Sequence, residues 1–121
     1  MIAFDVLRIG TVRDPGDGRP LFEVLPAYIE GLDGLITSER VQVLYWMHEL
    51  TPADWRALRV HRRGDTSVLI CGVFSLRSPM QPNPSGAIEV DVVEVQDRGL
   101  VVEDLDARDG SPLIDIKAVC R

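Results

Sequence analysis

Histidine and cysteine are both scarce in this chain, with two of each in 121 residues. His48 and His61 do not stand at metal-ligand spacing, and neither HExxH nor CxxC occurs, which excludes the common zinc motifs. Cys71 and Cys120 are too few for a disulfide framework; they read as free thiols of a reducing compartment, and a cytoplasmic protein is expected. No glycine-rich phosphate loop and no GxGxxG follows a strand, so a Rossmann cofactor site is excluded. No apolar run approaches the ~18 residues of a membrane helix. The first ten residues, MIAFDVLRIG, lack the basic flank and cleavage site of a signal peptide. Positive charge is also short: 13 Lys and Arg face 19 Asp and Glu, for a net charge of −6. That balance opposes the broad attraction on which most nucleic-acid binders rely. A local basic cluster, Arg56, Arg59, His61, Arg62 and Arg63, reads either as a solvated loop or as a phosphate site.

Proline, by contrast, is concentrated. The stretch from Gly72 to Gly86, GVFSLRSPMQPNPSG, holds three of the eight prolines. Each proline removes a backbone donor and fixes φ near ~−65°. Each residue before a proline, here Ser78, Gln81 and Asn83, is pushed to extended geometry. The stretch therefore reads as a stiff, extended loop between an apolar strand at Thr66–Phe74 and another at Ala87–Gln96. A rigid loop between core strands suits the presentation of polar groups to a partner, and it suits a plain structural crossover equally well.

The remaining chain alternates strand and turn signals. Strands are expected at Ala3–Val12, Leu21–Leu25, Glu39–Glu49, Leu100–Leu105 and Leu113–Ile116. Pro26 opens one or two helical turns ending at Gly31. Thr51, Pro52 and Asp54 form a helix start, with Trp55 and Leu58 sharing a face. Arg59–Asp65 reads as a polar loop, Asp97-Arg98-Gly99 as a hairpin turn, and Asp106–Pro112 as an acid-rich turn. At 121 residues with 45% apolar content, the sum is one all-β domain spanning residues 1–121, a small antiparallel barrel or sandwich with one or two short helices.

The chemistry on offer lies at strand ends. Arg77, Gln81 and Asn83 sit in the stiff loop, His48 and Glu49 end the central strand, and Asp106, Asp109, Asp115 and Lys117 sit in or after the acid-rich turn. Aspartates at this spacing suit hydroxyls or a cation, and the planar fork of Arg77 suits a carboxylate. A ligand with a carboxylate, a ribose and a sulfonium matches all of them, and S-adenosylmethionine is one. Each residue alone also reads as ordinary structure: Asp109-Gly110 as turn formers, Arg77 as a surface ion pair, His48 as a satisfied strand-end histidine.

Together, GVFSLRSPMQPNPSG and LDARDGSPLIDIK resemble the paired signature of the TsaA-like, or TrmO-type, family. IGTV, LPAYIEGLDGL and LYWMH stand upstream in family order, so the resemblance covers nearly the whole chain. It implies a compact β-barrel, usually a homodimer, that binds S-adenosylmethionine and methylates threonylcarbamoyl-adenosine in tRNA. Carried over by position, it implies cofactor contacts at His48, Glu49, Arg77, Asn83, Ala87, Asp106, Ala107, Arg108 and Asp109. In the first loop, which is shorter here, Arg19 stands in the place of the family's arginine. Met80-Gln81 replaces a His-Arg pair of the family pattern, and Ser85 replaces an isoleucine. The lost basic groups and the acidic balance weaken the case for tRNA but leave the cofactor case intact. The expected activity is S-adenosylmethionine-dependent methyl transfer, with no catalytic base assigned. The alternatives are a small-molecule or protein acceptor, or cofactor binding without turnover.

Overall fold

The computed structural model describes residues 2–37, 39–49, 51, 56, 58–61, 65–67, 69–77, 79, 81–103, 105 and 107–119. The helix start at Pro52–Trp55, Arg62 and Arg63 of the basic cluster, Met80 and the candidate Asp106 lie outside the described residues.

The strands are β1 (Gly10–Arg13), β2 (Leu21–Val24), β3 (Arg40–Trp46), β4 (Arg59–His61), β5 (Ile70–Gly72), β6 (Ser85–Gln96), β7 (Gly99–Val102) and β8 (Pro112–Ala118). Six of them close into an antiparallel barrel in the order β1-β2-β7-β6-β3-β8, while β4 and β5 form a separate two-stranded ribbon. The alternation of Val41, Val43 and Tyr45 sends these side chains inward, and Gln42, Leu44 and Trp46 take the outer face. Val90 and Val92 of β6 point inward likewise. They meet Phe22, Leu100 and Leu113, all fully buried. At ~25 cal/mol per Å2 each such side chain contributes roughly 1.5–3 kcal/mol, so the barrel interior is the folding core.

Three expected elements differ from the structure. The first strand begins at Gly10 rather than Ala3, and Ile2, Phe4, Val6 and Leu7 are exposed. Gly10 already pairs with Val24 at the end of β2, and Pro26 then opens a 3-10 helical turn. Residues 2–8 therefore have no β2 edge to pair with. The run Arg59–Asp65, expected as a loop, contributes β4: Arg59 pairs with Gly72 and His61 with Ile70. Among the described residues of the apolar run Thr66–Phe74 the strand covers Ile70–Gly72, and Val73–Ser75 winds into a 3-10 turn at the start of the proline loop.

Candidate functional site

β1, β3 and β7 run toward one end of the barrel, and β2, β6 and β8 leave from it. The loops at this rim carry the described candidates except Ala87, which lies just inside β6, and Asp115 and Lys117, which lie on β8. Two groups form there, one on each side of β3.

On the β8 side, Arg108 Nη1 donates to Glu49 Oε2 in a close ion pair. His48 stands exposed beside it, its Nε2 3.9 Å from Glu49 Oε1. The turn packs close against this histidine: a β-carbon added to Gly110 would lie 3.8 Å from His48 Nε2. Gly110 has a φ of 85°, a left-handed value that glycine adopts at little cost. The turn is tied to β1, because Gly110 N donates to Val12 O at 2.8 Å and Asp14 N donates to Asp109 Oδ1 at 2.8 Å. Ala107 is buried in the core, so it would meet a ligand only through its backbone.

On the β6 side, residues Ser85–Asp91 pair with β3, and β7 takes up the opposite edge only from Val92 onward. Arg77 covers part of that open edge, its Nη2 donating to Ala87 O. Pro84 O accepts from Met47 N at 2.8 Å, which stitches the proline loop to the exit of β3. Asn83 is exposed between its two prolines, and its carbonyl accepts from Ser85 N at 2.7 Å.

Both groups flank β3. Ala87 and Asp115 both sit opposite Leu44, on either side of β3. Two inter-strand spacings put these two backbone positions about 10 Å apart. Arg19 does not join either group; it pairs with Glu94 far along β6 at 2.7 Å. Lys117 pairs with Asp115 at 2.6 Å. Sequence reasoning gave no signal for Glu94 as the partner of Arg19 or for the tie between Asp14 and Asp109, since both link segments distant in the chain. No cluster of His, Cys, Asp and Glu that could hold a metal occurs among the described residues. An open cleft of about 290 Å3 lined by Thr37, Asp91, Val92, Val93 and Glu103 includes none of the candidates. Asp91 in that cleft is bound to Arg40 at 3.0 Å.

The fold is that of a small, closed, six-stranded antiparallel barrel whose one rim carries the Glu49–Arg108 ion pair and Arg77. Residues 13–121 match the model of the tRNA-methyltransferase O N-terminal domain, and the chain belongs to that family. It is 34% identical over 116 residues to a probable S-adenosyl-L-methionine-binding protein of Pyrococcus horikoshii, covering 95% of this chain and 82% of the relative. A second such protein, from Methanocaldococcus jannaschii, is 34% identical over 110 residues, covering 90% and 86%. Among solved structures, TrmO from Pseudomonas aeruginosa superposes with a TM-score of 0.73 over 98% of this chain, at 24% identity. That likeness concerns the fold, and the chain spans 57% of the solved TrmO chain.

Proposed function

We propose that this domain binds S-adenosyl-L-methionine at the rim beside β3 and serves its transfer of a methyl group. The observation that carries the reading is the pairing of Glu49 with Arg108 next to His48, one strand away from Arg77. The relatives named as S-adenosyl-L-methionine-binding proteins support it. The donor set fits the cofactor. Arg77 spends one N–H on Ala87 O, and a guanidinium has five, so it retains donors for a carboxylate. Glu49 and Asp109 each keep acceptor sites for an ammonium or ribose hydroxyls. When bound, the sulfonium supplies an already electrophilic methyl carbon. The protein then has to hold donor and nucleophile in line and exclude water. Asn83, held between prolines, shapes the wall of the pocket. The backbone of Ala107 completes the acid-rich side, and the family resemblance assigns Asp106 to the same ligand.

The acceptor divides the reading. Family likeness favours tRNA, and the charge of −6 favours a small molecule or a protein. Binding without turnover is the second reading, favoured by relatives that are named for binding alone. The protein acts as a homodimer in either case, which would cover exposed Leu58, Leu69 and Phe74 on and beside the ribbon. Calorimetric titration with the cofactor tests the binding; absence of heat at millimolar cofactor overturns it. Incubation with methyl-labelled cofactor and separate RNA, protein and metabolite fractions then identifies the acceptor, and label in none of them selects the binding-only reading.

A further inference from the structure

We infer that Gln81 is a positioning residue that locks the proline loop and thereby sets where Arg77 stands. The inference rests on the cofactor reading above. The loop from Val73 to Pro84 is poor in backbone donors, because Pro79, Pro82 and Pro84 carry no N–H. Among the described residues, the backbone N–H groups of its return leg donate locally: Gln81 N to Pro79 O at 3.0 Å and Ser85 N to Asn83 O at 2.7 Å. Among the described residues, the bond that crosses from the return leg to the outgoing leg comes from a side chain. Gln81 Nε2 donates to Val73 O at 3.1 Å and to Leu76 O at 3.4 Å.

Both anchor points matter. Val73 is 1% exposed and fixed in the body of the protein. Leu76 immediately precedes Arg77, so the amide grips the chain one residue from the guanidinium. Arg77 then reaches across to Ala87 O, and Pro84 O receives Met47 N. The loop is thus tied to its surroundings through Val73, Arg77 and Pro84, and among the described residues Gln81 joins its two legs. Both partners of Gln81 are carbonyl oxygens, so the task requires a hydrogen-bond donor. A thioether has no N–H, and a carboxylate would face two carbonyls with like partial charge. Half-buried against its own loop, Gln81 is occupied with closing the arm and does not reach for the ligand. Its role is to reduce the ordering that cofactor binding must otherwise impose on Arg77.

The test uses the full chain and S-adenosyl-L-methionine. Cofactor affinity is measured by calorimetry for wild type, Gln81→Met and Gln81→Glu at pH 8 and pH 5.5, each variant expressed relative to wild type at the same pH. Loss of the bridging bond is expected to weaken Gln81→Met about three- to tenfold at both pH values. Gln81→Glu is expected to be weaker still at pH 8 and to recover in part at pH 5.5, where a larger fraction of the introduced carboxyl is protonated and donates an O–H. Hydrogen exchange of the Leu76 and Arg77 amides in the ligand-free protein is expected to speed up in Gln81→Met. Wild-type affinity in Gln81→Met, or a Gln81→Glu deficit that does not change with pH, overturns the inference. Unchanged exchange at Leu76 and Arg77 overturns it whether or not cofactor binds. A wild type that fails to bind while Gln81→Met loosens the loop removes the cofactor reading and leaves the lock standing.

Discussion

Gly86 lies directly beneath the ring of Tyr45: a β-carbon placed on this glycine would come within 2.2 Å of Tyr45 Cζ. Tyr45 is 6% exposed and Gly86 is buried, so the ring has little room to retreat. The contact sits where the proline loop enters β6, and it joins core packing to the rim. Gly86→Ala is expected to cost about 1–3 kcal/mol, as overpacked cores do. A thermal melt that matches wild type would show that the ring moves aside freely.

The ion pair of Arg108 with Glu49 separates stability from binding. Arg108 is 78% and Glu49 49% exposed at the side chain. Solvent screens such a pair, and Arg108→Ala should cost under about 1 kcal/mol of stability. Cofactor affinity should fall roughly ten- to hundredfold, the range for losing a hydrogen bond to a charged group. Denaturant unfolding and calorimetry on the same preparation check the two halves separately.

Asp65 offers a pH-dependent test remote from the rim. Ser67 Oγ donates to its carboxylate at 2.6 Å and Ser67 N at 2.9 Å. Those two bonds, the side-chain one foremost, hold the Asp65 pKa below its ordinary value. The stabilisation is therefore fully present above the unfolded-state pKa of about 3.9 and is lost as pH falls through the lower folded value. In Ser67→Ala the carboxyl resonance of Asp65 should titrate at higher pH than in wild type. An unchanged midpoint would mean the hydroxyl contributes nothing.

Phe22 tests the barrel itself. It is fully buried on β2, with Leu100 as its partner on β7. Phe22→Ala removes a ring from the centre of the core and is expected to cost about 3–5 kcal/mol. Chemical denaturation monitored by circular dichroism measures the loss.

Much of this fold is written in local pattern. β3 alternates cleanly and β6 does so from Ile88 up to its bulge after Val92, and their inward residues build the core. The hairpin at Asp97–Gly99 carries its own turn chemistry, with Gly99 at φ 149°. Elsewhere pattern was not sufficient. Ala3–Ile9 is as apolar as any strand, but strand formation needs a neighbour, and β2 ends at Val24. β4 is rich in Arg and His and reads as a loop, yet Arg59–His61 pair with β5. The site divides in the same way. Paired motifs mark the strand ends that carry His48, Glu49, Arg77 and Arg108. The directions of their side chains, such as Arg77 onto Ala87 O and Gln81 back onto Val73 O, depend on through-space partners that no local pattern encodes.

The barrel's two poles are unequal, and that has a practical use. The hairpin joining β6 to β7 turns at the pole opposite the proline loop. A fluorophore or surface tether attached at Asp97 would hang away from the polar rim. Single-molecule recordings through such a handle would leave the rim open to ligands while the label reports from the far side.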